Sequence, residues 1–495
     1  MKTTAVKNGA RALSAARRAG SVALTVGGLL CTTAIATPVF AQTGLQPSLR
    51  VATPPVGPGA ASFATSSVPP LPVNEALLPD FGGYRAKLRD MGIYVGLDNV
   101  DEFAGIVKGD HKGSTNAGQY GLETDIDWEK LAGLRGFSTH SIMVGRYGIP
   151  ASRIFGDNLV PSQEIYGAGG NVAIHLVDFY GEETAAHGRV DFAFGRMPVL
   201  NDFASSPLYC NFMNNSFCGN PKASSDNFAV SSYPDANWAV RLRVRPTALT
   251  YVQGGIFFTE DNIYQATNGY RSGFRFDSNN ISGEAFPVQA GYEPFFGRDK
   301  LPGHYSIGFI YDNNNHNDNY LDANGAPFVL SGLPPKVRKG QTAQYVLVDQ
   351  MLLRHGAGAT NGLIAFGGFY HNDDNTSTRT SQAEFGFIDH GFWKARPQDG
   401  IAVAFSYLEV SDQVSKTEAL QQELGLPIVG TGGQFYNAAA RGVQSHTYEF
   451  EADYQIHVFR GVTFAPDFQY FIRPNALANV GNAAVIGFKS HIQLF

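Results

Sequence analysis

The chain has 495 residues, of which 16% are charged, against the roughly 25% of an ordinary globular protein, and 12% are aromatic. Its formal charge of −6 falls to −11 once the five positive residues of the leader described below are removed, a balance that excludes nucleic acid as a partner. Beyond that leader no apolar run approaches the roughly 20 residues a membrane helix needs, so a membrane crossing would require strands closed into a barrel, which satisfies every backbone group in lipid.

Residues 1–41 read as a secretory signal peptide. Lys2, Lys7, Arg11, Arg17 and Arg18 precede an apolar run, and Val39-Phe40-Ala41 offers a small-residue cleavage site before Gln42. The Arg17-Arg18 pair counts as ordinary basic charge, and Cys31 follows Leu30 rather than the small residue of a lipoprotein box. Residues 42–80 hold eight prolines and read as an extended periplasmic leader. Residues 81–495 then form one barrel domain, opened by a short periplasmic helix over 84–90.

Alternation of apolar and polar residues predicts strands near 94–106, 118–128, 137–146, 171–181, 188–196, 238–246, 249–259, 284–295, 303–312, 341–354, 362–371, 382–393, 400–410, 444–458, 461–473 and 483–495. Their connections alternate between short turns, such as 246–248 and 355–361, and long polar loops at 147–170, 197–237, 260–283, 313–340 and 411–443. The fold class is therefore all-β: a transmembrane antiparallel barrel of about sixteen strands, with short periplasmic turns, longer outer loops and a lumen wide enough for water.

Parity assigns the chemistry. On the strand from Trp238, Val240, Leu242 and Val244 face lipid, so Arg241, Arg243 and Arg245 form an inward ladder; the reverse would cost about 2–4 kcal/mol per buried arginine at mid-bilayer. Trp238 itself fits an interfacial aromatic girdle. Glu123, Asp125 and Asp127 point inward by the same argument, as do Asp98, Glu102, Arg189 and Asp191, with Lys489 and His491 as further members. Any one of these can simply line a wet interior, whereas together they offer donors and acceptors to a neutral polyhydroxylated solute. Cys210 and Cys218 are expected to form a disulfide in an oxidising envelope rather than a metal site, since histidine is missing nearby. The segment 197–237, including Asn201, Asp202 and Phe212, either folds into the barrel as a constriction or stays outside as a surface loop; Phe212, Phe217 and Tyr233 could then stack on sugar rings. Asp318, Asp322 and Asn324-Gly325 match a calcium loop incompletely and favour a plain turn. No cofactor or metal is expected, and motifs for hydrolysis or phosphate binding are absent from the sequence.

The last strands complete the pattern. Tyr448, Phe450, Ala452, Tyr454, Ile456 and Val458 alternate with Glu449, Glu451, Asp453, Gln455 and His457, and Phe464 and Phe468 repeat the apolar face opposite Asp467 and Gln469. The chain ends on Phe495.

The runs Arg196-Met197-Pro198-Val199-Leu200-Asn201-Asp202-Phe203-Ala204, Tyr209-Cys210-Asn211-Phe212, Cys218-Gly219-Asn220-Pro221 and Tyr233-Pro234-Asp235-Ala236-Asn237-Trp238 together resemble the carbohydrate-selective porins of the OprB type. Gln253-Gly254-Gly255-Ile256-Phe257 and Arg89-Asp90-Met91-Gly92-Ile93 fit the same pattern. The resemblance covers residue 81 to the end and implies a sixteen-stranded outer-membrane channel, often a homotrimer, passing monosaccharides such as glucose by passive diffusion. The expected partners are neutral sugars and outer-membrane lipid and lipopolysaccharide. A general small-solute pore and an outer-membrane barrel hydrolase are the alternative readings.

Overall fold

The computed structural model describes residues 76–165, 172–218, 222–225, 227, 233–261, 273–356, 360–428 and 442–495. The expected signal peptide and most of the expected proline-rich leader lie outside these residues. The described ones all belong to the compact unit Leu49–Phe495.

Seventeen strands follow a short helix, α1 (Tyr84–Asp90). The first eight are β1 (Ile93–Lys108), β2 (Ser114–Asp127), β3 (Phe137–Gly148), β4 (Val172–Ala185), β5 (Val190–Met197), β6 (Asn237–Thr247), β7 (Thr250–Glu260) and β8 (Ile281–Tyr292). After the two-residue β9 (Phe295–Phe296) come β10 (Leu301–Asp322), β11 (Pro335–Arg354), β12 (Gly362–Asn372), β13 (Arg379–His390), β14 (Gly400–Val410), β15 (His446–Phe459), β16 (Val462–Ile472) and β17 (Ala483–Gln493). Each strand pairs antiparallel with its sequence neighbour, β8 pairs directly with β10, and β17 returns to β1 with Phe103 opposite Phe488. Sixteen strands therefore close the barrel, and β9 only widens the turn before β10.

Alternation sets the two faces. On β6 Leu242 is 47% exposed and Val244 37%, facing outward, while Arg241 and Arg243 are 1% and 4% exposed and face in. Phe309, Val346, Phe385, Phe387, Phe450 and Phe468 continue the outer apolar band. Tyr292, Phe296 and Tyr305 cluster near the short-turn end, in the manner of an interfacial belt. Hairpins at that end are tight: β15 and β16 are joined through Gly461 at φ +74°, a backbone setting that glycine reaches without strain.

The segment before α1 meets the end of β17 at this rim. Leu77 and Leu78 donate their amides to the carbonyls of Gln493 and Leu494, both at 2.8 Å, and the Phe495 ring lies 5.5 Å from that of Phe81. Leu97 N–H donates to the Phe495 carbonyl at 2.8 Å, so the last residue closes the wall against β1.

Three expectations need correction. The span 313–340 is not a long loop but the outer half of a hairpin, because β10 reaches Asp322 and β11 begins at Pro335. Its residues are polar on both faces, which suits a ladder standing in water and hides the alternation. The span 411–443 contains a helix, α2 (Asp412–Glu423), capped by Ser411. In the turn after β2, a further short helix over Trp128–Ala132 is capped by Asp127, whose Oδ1 accepts the amides of Glu129 and Lys130 at 3.0 and 3.2 Å. Asp318 and Asp322 likewise receive the backbone amides of their own turns, Tyr320 and Leu321 for the first and Asn324 and Ala326 for the second.

Candidate functional site

The segment between β5 and β6 folds into the lumen. Asp202, at the end of a single helical turn over Val199–Asp202, carries the entry point. Arg241 Nη1 lies 3.0 Å from Asp202 Oδ1, and Arg241 Nη2 reaches Asp191 at 2.5 Å and Glu182 at 3.5 Å. Arg243 Nη2 lies 3.4 Å from the same Asp202 oxygen, and its Nε donates to Gln253 at 2.7 Å. Gln253 in turn donates to the Asp202 main-chain carbonyl at 2.6 Å. Three carboxylates thus surround one buried guanidinium, the fork geometry that suits arginine better than lysine.

From Asp202 the segment crosses to the wall built by β12–β17. The Tyr209 and Tyr370 hydroxyls are 3.1 Å apart, and Lys489 Nζ donates to the Phe212 carbonyl at 2.7 Å. The Glu451 carboxylate accepts the amides of Met213 and Asn214 at 2.5 and 3.0 Å. Asn214 donates to Gln469, and Ser216 donates to Glu449 while its carbonyl receives Gln382. The loop thus folds inward, spanning the lumen with polar anchors on both walls. Cys210 and Cys218 are joined by a disulfide with Cα atoms 4.4 Å apart.

A second segment, between β3 and β4, also folds inward, although it reads as an ordinary outer loop. Glu164 N–H donates to the Met213 carbonyl at 2.8 Å and Asn215 N–H to the Pro161 carbonyl at 3.0 Å, so the two insertions pair with each other. Gln469 holds the Ser162 carbonyl, Gln163 donates to the Glu102 carbonyl, and Glu102 Oε2 accepts the Ile165 amide. The Phe155 ring packs 5.0 Å from that of Phe471, and Leu159, Val160, Phe212, Met213 and Phe217 join them in a buried apolar core inside the barrel. Burial pushes the Asp157 carboxyl in this segment up to about 6 against the pull of backbone hydrogen bonds, and that of Asp235, just before β6, up to about 8 against Arg146 and Arg196.

The expected lumen residues separate into groups. Arg241, Arg243, Asp191 and Asp202 meet in one cluster, with Asn201 beside them in the same helical turn. Glu123 and Asp125 are buried on the inward face, and Asp125 pairs with His140 at 2.7 Å. Asp98 and Glu102 oppose His491 and Lys489 at 3.3 and 3.5 Å. Arg245 sits lower, gripping Glu293 through two contacts of 2.8 and 3.4 Å. Two assignments do not hold: Asp127, the last residue of β2, turns its carboxylate to the amides of the next turn and caps a helix, and Arg189 is exposed in the turn before β5. The acids that balance Arg241 come from β4, β5 and the inserted loop. Phe212 and Phe217 are fully buried against each other, 4.9 Å between centroids, so neither is presented to a solute. Glu182 and Gln253 were missed, the first because it reads as part of a turn. The apolar pairs Ile154-Phe155 and Leu159-Val160 were the available signal for the second insertion, since an outer loop has no use for four such side chains.

Comparison with known proteins adds to this geometry. A model of the family described as "Carbohydrate-selective porin, OprB family" matches residues 111–494. Porin B of Pseudomonas aeruginosa is 28% identical over 443 residues, which is 88% of this chain and 94% of that protein. A solved structure of OprB from Pseudomonas putida at high pH aligns with a TM-score of 0.76 at 27% identity, over 84% of this chain and 97% of that one. The low-pH structure of the same porin, at 19% identity and a TM-score of 0.51 over 85% of this chain and 98% of that one, shares the fold. By the match of a family model to most of its length, on a closed sixteen-strand barrel, the chain belongs to the OprB family of carbohydrate-selective porins.

Proposed function

We propose that the chain, an outer-membrane channel selective for carbohydrates, passes neutral monosaccharides such as glucose passively through the space left beside its two inserted segments. The observation that carries this reading is the anchoring of one segment to both walls, at Asp202 on one side and at Met213 and Asn214 on the other. An aperture framed by fixed donors and acceptors exchanges hydrogen bonds with sugar hydroxyls as water leaves, each bond weak enough for release. Arg243, Asp191 and Asp202 are assigned to that exchange.

The assembly follows the same reading. A signal peptide over 1–41 exports the precursor, the leader 42–80 lies in the periplasm, and the barrel sits as a homotrimer among lipid and lipopolysaccharide. The reading of a hydrolase finds poor ground at Ser445 and His446: Arg473 donates to Ser445 Oγ at 2.6 Å and lies 3.0 Å from His446 Nε2, placing a cation where a serine nucleophile would need its base. Liposome swelling tests the channel reading: glucose should enter faster than neutral disaccharides. Equal rates for both would point to a general pore.

A further inference from the structure

One hydrogen-bonded row crosses the barrel wall from β5 to β11. Asp191 stands opposite Arg243, Arg243 opposite Gln253, Gln253 opposite Gln289, Gln289 opposite Gly308, and Gly308 opposite Tyr345. Parity turns this row into the lumen, where Arg243, Gln253, Gln289 and Tyr345 are buried. Their side chains bond along it. Arg243 Nε donates to Gln253 Oε1 at 2.7 Å, and the Tyr345 hydroxyl reaches past Gly308 to donate to Gln289 Oε1 at 2.6 Å. Gln289 Nε2 donates at 2.5 Å to the hydroxyl of Tyr251, whose ring lies 5.8 Å from the Arg243 guanidinium. Gly291 opposite Tyr251 and Gly308 opposite Tyr345 leave room for the two rings, which a side chain at either glycine would have to displace.

We propose that Gln253 is a positioning residue for the sugar contact: it sets the plane of the Arg243 guanidinium and acts on the solute through that group. The inference rests on the assignment of Arg243 to sugar exchange made above. Gln253 Nε2 donates to the Asp202 main-chain carbonyl at 2.6 Å while its Oε1 receives Arg243, so one amide ties the arginine to the inserted segment. The amide has a single orientation, because an arginine Nε only donates and a carbonyl only accepts. Arg241 is steered by charge, with the carboxylates of Asp191, Asp202 and Glu182 around it. Arg243 lies 3.4 Å from Asp202, past good hydrogen-bond length, and the closer hold is that of Gln253. A fork gripped at its edge by an amide and on its face by a ring has little ordering left to lose when a sugar takes the place of water.

The test measures glucose-dependent block of ion current through the full-length protein in planar bilayers. Gln253→Met, similar in length but without either hydrogen bond, should raise the half-saturating glucose concentration about 3- to 10-fold, the equivalent of one hydrogen bond. Arg243→Ala should raise it too. Adding Gln253→Met to Arg243→Ala should then change nothing further, since the amide has no guanidinium left to position. A residue that merely braced the barrel would shift the Arg243→Ala channel as well. Heat-modifiable migration in gels certifies folding of each variant. If Gln253→Met does not assemble, Tyr251→Leu, which removes the ring beside the guanidinium, takes its place with the same two results expected. Unchanged half-saturation in the folded single variant, or a further shift in the double one, would overturn the positioning role and leave the channel reading standing. Wild-type channels that do not saturate with glucose, or Arg243→Ala channels that saturate as the wild type does, would instead overturn the reading on which it rests.

Discussion

The Glu451 carboxylate on β15 accepts the Met213 amide at 2.5 Å, tying a segment that leaves the barrel at β5 to the far side of the lumen. A net hydrogen bond contributes about 0.5–1.5 kcal/mol, and Glu451 accepts a second one from the Asn214 amide. Glu451→Gln keeps the shape but puts an N–H where one of the two backbone amides donates. We expect a folded channel whose swelling rate with trisaccharides rises several-fold relative to glucose. An unaltered size cut-off would remove Glu451 from the anchoring of the loop.

The Cys210–Cys218 bridge closes a separation of eight residues. A loop that short stabilises by about 2.5 kcal/mol on the chain-entropy account. The barrel's ladders do not depend on it. Replacing both cysteines with serine, or reducing them, should leave heat-modifiable migration unchanged and raise open-channel current noise as the segment gains conformations. Equal noise with and without the bridge would contradict this.

Among the described residues, Arg241 is the guanidinium that reaches Asp191, Asp202 and Glu182 together. Truncating one member of a buried charge cluster costs about 3–5 kcal/mol, because the acids left behind lose their counter-charge. Arg241→Met should therefore assemble poorly, and Arg241→Met with Asp202→Asn should recover part of the loss. A single variant as stable to urea as the wild type would show that the cluster is solvated and dispensable.

On the outer face, Glu418 of α2 accepts the Gln444 amide at 2.8 Å, and burial, opposed by that bond, pushes its carboxyl up to about 7. The folded value lies above the ordinary carboxylate range, so its contribution to docking is fully present below about pH 4.5 and is lost as pH rises through 7. Protection of α2 against hydrogen exchange, after division by the intrinsic base-catalysed rate, should fall between pH 5 and pH 8. Glu418→Gln should flatten that dependence; protection that is lower at pH 5 would reverse the sign and refute the account.

The barrel was legible because period-2 alternation is imposed by lipid outside and polar groups inside, as in Leu242 beside Arg241 and Phe450 beside Glu451. The same rule misplaced Asp127 and Arg189, since parity sees neither the helix cap that claims a strand's last carboxylate nor the turn in which an arginine stands. It also lost the outer hairpin around Asp318, where water bathes both faces and nothing forces an apolar set. The inward folding of the two insertions was only half legible. Their anchors are single contacts between distant residues, Met213 with Glu451 or Glu164 with Met213, and no local period encodes them. Phe155, Leu159 and Phe217 carried the hint, as apolar side chains in segments that an outer loop would leave in water.

The central claim is that a neutral sugar passes an aperture built from fixed hydrogen-bonding groups. It is tested most directly by titrating glucose onto reconstituted wild-type channels while recording ion current. The account predicts a current that falls with glucose and saturates, with Arg243→Ala shifting the half-saturating concentration. A current that declines only in proportion to solution viscosity, with no saturation and no effect of Arg243→Ala, would contradict it.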